Sequence, residues 1–297
     1  MPRARRVVAS PLWLLVAACF AWSPSPARAD AVGPDGGRVV SWRFESDAVA
    51  GLGTWHAYLP PGYRGGASVR FPYVIALHGL LGSGDEWFAP DGGDLLRDLD
   101  RLISTGKVIP LVVIAPDGRD GYWTDHAGRV RGTAWGAYVD EVEREALARL
   151  KLDPDRRAIA GVSMGGHGAL SIGLRSLGAF RAIVSMSGAL FPEPPTHRPI
   201  YGKVWGEPTD YAHWLDTAPL ALIRRADVAS AAPPIWLECG LGDVNRFLDW
   251  NTSAFEVFCD AGVDVSLHIN KGGHGWKTWR ATNEVWLTWL SRILKRF

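Results

Sequence analysis

Cysteine, excess charge and long apolar segments are all scarce in this sequence. Only three cysteines occur in 297 residues, which excludes a scaffold held together by many disulfides. The 32 basic and 31 acidic side chains leave a formal net charge of +1, so no basic surface for nucleic acid is indicated. The Cys and His residues lack the spacing of zinc ligands, and we expect neither a metal nor another cofactor. Hydrophobic residues make up 47% of the chain, enough to form a large core.

The first 29 residues are typical of a secretory signal peptide. Basic residues at positions 3, 5 and 6 precede an apolar run over residues 7–22, and a small-residue motif ends at Ala29. The run contains Pro11 and is shorter than the about 20 residues of a spanning helix, so we expect no transmembrane segment. These features predict cleavage after Ala29 and a secreted, periplasmic or cell-surface protein. Residues 16–19 also resemble a lipoprotein-processing site, so a lipid anchor at Cys19 is the alternative.

Residues 30–297 are predicted to form a single α/β domain. Short runs rich in Val, Ile and Leu alternate with longer segments of helical periodicity, which indicates a mostly parallel central sheet with helices on both faces. Strands are predicted at residues 39–44, 54–59, 73–77, 111–115, 158–161, 182–186, 235–239 and 263–269, the first two as an antiparallel hairpin. Helices are predicted at residues 95–103, 135–150, 166–174, 246–259 and 278–294. The proline-rich segment 191–220 is predicted to be an irregular excursion over the sheet.

Two cysteines, Cys239 and Cys259, remain after the leader. Cys239 should end a strand and Cys259 should end the following helix, roughly 15–20 Å away. A disulfide requires Cα atoms within about 7 Å. We therefore expect two separate, largely buried thiols.

A candidate nucleophile lies at Ser163, within the GxSxG motif of residues 161–165. The motif follows a short apolar strand and precedes a predicted helix, which is the context of a sharp turn that exposes a serine hydroxyl above a sheet. Small flanking residues allow the backbone to bend there. An isolated motif of this kind is often only a glycine-rich turn, so the assignment depends on a base and an acid further along the chain.

Asp243 and His274 supply that acid and base in the order that this fold requires. Asp243 follows an apolar strand in the glycine-rich segment 240–243, and His274 lies in a glycine-rich loop before the last helix. Loops after the carboxyl ends of strands are where open α/β sheets bind ligands. Asp249 and Asp260 are weaker alternatives for the acid, and His268 is a weaker alternative for the base because it falls within a strand.

The reaction also needs hydrogen-bond donors for an oxyanion. In this fold these are two backbone amides, which we assign to Met164, after the serine, and Leu80, in the HG turn after the third apolar strand. Trp276 and Trp123 are candidate substrate-binding residues because both neighbour loops that should surround the pocket.

Together these segments resemble the esterase D family of α/β-hydrolases, which includes S-formylglutathione hydrolases, feruloyl and acetyl esterases, and mycolyltransferase antigens. The likeness extends over most of the mature chain and rests on residues 58–63 (YLPPGY), 77–79 (LHG), 161–170 (GVSMGGHGAL), 242–243 (GD) and 273–276 (GHGW). The resemblance implies the same catalytic residues, Ser163, Asp243 and His274, and the same oxyanion amides.

The resemblance implies an exported serine carboxylesterase that acts through an acyl-enzyme, with plant-polymer, sugar or lipid esters as substrates. An acyltransferase of the mycolyltransferase type, using the same acyl-enzyme, is the alternative. Those transferases carry Asp before the oxyanion glycine and Glu as the acid, whereas this chain has His78 and Asp243, so hydrolysis is favoured.

Overall fold

The computed structural model describes residues 29–295 except 66–68, 197, 207–209 and 245. The predicted leader up to residue 28, including Cys19, lies outside the described residues. Nine strands form one sheet: β1 (Ala29–Val32), β2 (Arg38–Ser46), β3 (Gly51–Leu59), β4 (Phe71–Leu77), β5 (Val112–Pro116), β6 (Leu152–Val162), β7 (Ile183–Met186), β8 (Ile235–Gly242) and β9 (Val265–Gly273).

The strand order is β1-β2-β3-β5-β4-β6-β7-β8-β9. The pairs β1–β2, β2–β3 and β3–β5 are antiparallel, whereas all neighbours from β5 to β9 are parallel. The chain reverses its direction across the sheet between β4 and β6, and the carboxyl ends of these strands form the crevice where open α/β sheets bind ligands. The predicted hairpin of the first two strands is confirmed as β2–β3, while β1 was not predicted.

Ten α-helices accompany the sheet in the described residues: α1 (Leu95–Ser104), α2 (Trp135–Arg149), α3 (Met164–Arg175), α4 (Pro199–Trp205), α5 (Tyr211–Thr217), α6 (Pro219–Leu222), α7 (Ala226–Ala231), α8 (Phe247–Asp260), α9 (Trp276–Arg280) and α10 (Asn283–Leu294). None of these is long and apolar enough to cross a membrane.

The sheet separates two hydrophobic cores. Alternate residues of β4 face opposite sides, so that Tyr73 and Ile75 belong to one core and Val74 to the other. Residues of α2, α3, α8 and the segment 191–220 pack in the first core, and residues of α1 and α10 pack in the second. Burial on both faces explains why the central strands β4, β5 and β7 are continuous apolar runs.

Three sequence predictions are wrong. The segment 191–220 is not irregular, because it contains α4, α5 and the first residues of α6. The predicted long C-terminal helix is two helices, α9 and α10, and the Thr282 hydroxyl at their junction donates to the buried Glu238 at 2.8 Å. Both thiols are unpaired as expected, but only Cys239 is buried; Cys259 lies on the solvent side of α8 and is exposed.

Candidate active site

Ser163 occupies a strained turn between β6 and α3. Its backbone angles, φ 56° and ψ −117°, are unfavourable for a residue with a side chain. The turn is held by Ser163 N, which donates to Met186 O at 2.8 Å. A Cβ atom on Gly161 would lie 2.0 Å from Gly165 O, and one on Gly165 would lie 2.1 Å from Leu77 O. Both glycines of the motif are therefore required by close packing.

The register of β8 and β9 brings Asp243 and His274 together. Gly242 pairs with Gly273 at the carboxyl ends of these strands, so the next residue of each strand lies at the same edge. A Cβ atom at Gly240 would lie 2.1 Å from Gly272 O, so the close approach of the two strands requires glycine at position 240.

The three predicted side chains form one hydrogen-bonded chain. His274 Nδ1 lies 2.7 Å from Asp243 Oδ1, and His274 Nε2 lies 2.8 Å from Ser163 Oγ. An ionised carboxylate can only accept, so Nδ1 carries the imidazole proton and Nε2 is free to accept the serine proton. The arrangement can therefore activate a serine alcohol as a nucleophile.

Asp243 is fully enclosed and held in its ionised form. Its side chain has no exposed surface. Burial acts to raise the pKa of the carboxyl, but hydrogen bonds from His274, Ser187 and Cys239 outweigh burial and hold the pKa below its ordinary value. Val244 N also donates to Asp243 Oδ1 at 2.7 Å.

The predicted oxyanion amides flank Ser163. Met164 begins α3, where backbone N–H groups have no partner inside the helix. Leu80 lies in a loop that passes close to Ser163. A Cβ atom added to the preceding residue, Gly79, would lie 3.4 Å from Ser163 Cβ. Among the described residues, neither amide donates a hydrogen bond, so both are available to a ligand.

His78 supports this loop in a way that the sequence did not reveal. Gly118 N donates to His78 Nε2 at 2.9 Å, so the ring proton must be on Nδ1, which donates to Gly79 O at 2.7 Å. Burial lowers the pKa of His78, which favours this neutral form.

The two predicted tryptophans differ in exposure. Trp276 is half-buried beside the site, where its Nε1 donates to Glu86 Oε2 at 3.1 Å and its ring packs edge-on against Trp87. Trp123 has no exposed surface and donates from Nε1 to His78 O at 3.1 Å. Trp123 thus contacts the oxyanion loop from beneath.

In the described part of the chain, the residues considered as alternatives for the acid and the base do not hydrogen-bond the Ser163 hydroxyl. The ring of His268 stacks on Trp236 with centroids 3.4 Å apart. Asp249 and Asp260 are exposed on α8. Within the described residues, no group of three or more His, Cys, Asp or Glu side chains could hold a metal ion.

Comparison with known proteins identifies the family to which this chain belongs. The family model named Esterase matches residues 51–283. The chain belongs to this esterase family. The match confirms the resemblance to esterase D enzymes and the α/β-hydrolase fold, and it identifies an ester-hydrolysing serine hydrolase.

Individual relatives of the esterase are distant. An acetyl esterase of Caldicellulosiruptor saccharolyticus is 23% identical over 233 residues, covering 74% of this chain and 83% of the relative. An esterase of Mycobacterium tuberculosis is 28% identical over 204 residues, covering 67% of this chain but only 40% of the relative. The chain thus spans less than half of that mycobacterial protein.

Solved structures share the fold. A ferulic acid esterase superposes with a TM-score of 0.73 at 22% identity, covering 87% of this chain and 98% of that one. An S-formylglutathione hydrolase from Agrobacterium tumefaciens superposes with a TM-score of 0.72 at 22% identity, covering 88% and 96% of the two chains.

Proposed function

We propose that the protein is an exported serine carboxylesterase that cleaves esters through an acyl-enzyme on Ser163. The observation that carries this proposal is the continuous hydrogen-bonded chain from Asp243 through His274 to Ser163. Export rests on the apolar leader and its cleavage motif in the sequence.

In the proposed acylation step, His274 Nε2 takes the hydroxyl proton while Ser163 Oγ attacks the ester carbonyl. The amides of Leu80 and Met164 stabilise the oxyanion, and donors of this kind contribute roughly 3–4 kcal/mol each to transition-state stabilisation. His274 then gives its proton to the departing alcohol, and the C–O bond of the ester breaks.

In the proposed deacylation step, His274 removes a proton from water, which attacks the acyl-enzyme. Collapse of the second tetrahedral intermediate returns the proton to Ser163 and releases the acid. Asp243 holds the imidazole in the required tautomer throughout. Trp276 is proposed to line the substrate pocket, because it is half-buried beside the base.

The decisive experiment measures hydrolysis of p-nitrophenyl acetate by Ser163→Ala. We expect loss of turnover with an unchanged melting temperature, because the side chain makes its hydrogen bond to the base and not to the core. A folded variant with full activity would refute the assignment.

A second assay separates hydrolysis from acyl transfer. Alcohol or sugar acceptors are added during turnover, and the ratio of free acid to new ester is measured. We expect free acid to dominate. Predominant formation of the new ester would favour the acyltransferase alternative, which uses the same acyl-enzyme.

A further inference from the structure

Two aromatic side chains pack against the imidazole of His274. The centroid of the Phe247 ring lies 4.5 Å from the centroid of the imidazole, with 53° between the two planes. The Trp279 ring lies further away, at 5.2 Å, and meets the imidazole edge-on at 80°. Aromatic rings at these separations, tilted or edge-on, attract one another more than their buried area alone would give. The base is therefore held by ring contacts as well as by hydrogen bonds.

The two rings differ in their other contacts. Trp279 is buried, packs edge-on against Trp276, and donates from Nε1 to Ser187 Oγ at 3.0 Å. Replacing it would therefore also break a buried hydrogen bond. Phe247 is only half-buried, and its ring contacts the Trp250 ring, with centroids 5.2 Å apart, in addition to the imidazole. A substitution at Phe247 thus tests the contact with the base while disturbing the core less.

The backbone of Phe247 is fixed beside the acid of the site. Phe247 is the first residue of α8 and follows Asp243 by four residues. Its carbonyl accepts a hydrogen bond from Asn251 Nδ2 at 2.9 Å, and the same amide nitrogen donates to Gly188 O, also at 2.9 Å. Asn251 has no exposed surface, so water does not compete for these bonds. One anchored segment therefore carries both the carboxylate and the ring that contact the imidazole.

Hydrogen bonds alone do not hold the His274 ring throughout the reaction. At rest, Nδ1 is bound to Asp243 and Nε2 to Ser163. The Nε2 bond then passes to the departing alcohol and later to water, so only the Nδ1 bond persists. Catalytic groups need packing that locks their rotamers. We propose that Phe247 is a positioning residue that keeps the imidazole in place while the partner of Nε2 changes. This inference rests on the proposed function.

The test compares Phe247→Leu, Phe247→Met and Phe247→Tyr with Phe255→Leu. Leucine and methionine remove the ring but keep a large apolar side chain, so either folded variant decides the question. Tyrosine keeps the ring. Phe255 is the matched control, since it is a half-buried phenylalanine of the same helix that makes no ring contact with His274 in the described part of the chain. The melting temperature, kcat and KM are measured with p-nitrophenyl acetate and with ethyl acetate.

We expect kcat for p-nitrophenyl acetate to fall about 2- to 10-fold in the leucine and methionine variants, the effect of losing one aromatic contact, with KM changed little. The loss should be larger for ethyl acetate, because ethoxide needs the proton of the base to depart whereas p-nitrophenolate does not. Phe247→Tyr and Phe255→Leu should match wild type.

Three results would overturn the proposal: wild-type kcat in a folded leucine or methionine variant, a rise in KM alone, which would make Phe247 a substrate contact, or an equal loss in Phe255→Leu. Failure of the proposed function would appear separately, as retained activity in Ser163→Ala.

Discussion

Glu238→Gln offers a quantitative test of the contacts behind the His274 loop. Glu238 has no exposed surface, and burial raises the pKa of its carboxyl to about 7. Its Oε1 accepts hydrogen bonds from Asn270 Nδ2 at 2.9 Å and Thr282 Oγ1 at 2.8 Å. Asn270 Oδ1 then accepts from Gly272 N at 2.8 Å, two residues before the base. The carboxyl therefore anchors the loop from below.

The sign of the pH effect follows from proton binding. A carboxyl whose pKa is higher in the folded protein binds more protons when folded, so its stabilisation is present in acid and is lost as the pH rises from the ordinary pKa of 4.5 to about 7. The corresponding loss in the free energy of unfolding is roughly 3 kcal/mol. Glutamine cannot ionise, and its carbonyl can keep both bonds made by Oε1. Glu238→Gln should therefore lack this loss.

The assay is urea unfolding of wild type and variant at a series of pH values from about 4.5 to about 8. We expect the stability of Glu238→Gln relative to wild type to increase across this range by roughly 3 kcal/mol. Glu256→Gln, at an exposed position of α8, is the matched control and should follow wild type. Equal pH slopes for wild type and Glu238→Gln would refute the reasoning.

Three further predictions concern the nucleophile turn, the thiols and the pocket. Gly165→Ala should lower both the melting temperature and the esterase activity, because its Cβ would lie 2.1 Å from Leu77 O; wild-type values would contradict the packing. In the native mature protein, an aromatic disulfide reagent should modify the exposed Cys259 and spare the buried Cys239. Burial first and Asp243 second raise the pKa of the Cys239 thiol to about 12. Peptide mapping shows which of the two cysteines is modified. Trp276→Phe should raise KM more than it lowers kcat, and an unchanged KM would remove this residue from the pocket.

The centre of the sheet was predictable because β4, β5 and β7 are buried on both faces. Short runs rich in apolar residues indicated eight of the nine described strands, and the GxSxG context located the turn at Ser163. The geometry that joins Asp243 to His274 could not be read from spacing, since it depends on the pairing of Gly242 with Gly273. Strand register is a tertiary property that sequence order alone does not specify.

The wrong predictions have local physical causes. Helices α4 and α5 are seven residues each and lie among prolines, so neither has enough turns for an apolar periodicity to be visible. The break before α10 lies at Thr282, whose hydroxyl contacts Glu238, 44 residues earlier in the chain, and sequence periodicity does not report such a contact. His78 was missed because its role depends on a donor from a distant residue, the amide of Gly118. Its position after β4 was the available signal, since functional side chains concentrate at the carboxyl ends of parallel strands.

The central claim is that Ser163 is the nucleophile, and labelling with a fluorophosphonate tests it most directly. The activated serine oxygen attacks phosphorus and displaces fluoride, so the reagent's phosphonyl group is bound to the serine, and mass spectrometry of the digested protein locates the adduct. We expect one adduct, on the peptide that contains Ser163, appearing in parallel with loss of esterase activity and absent from His274→Ala. Complete inactivation with the adduct on another residue, or full labelling of Ser163 with activity retained, would contradict the account.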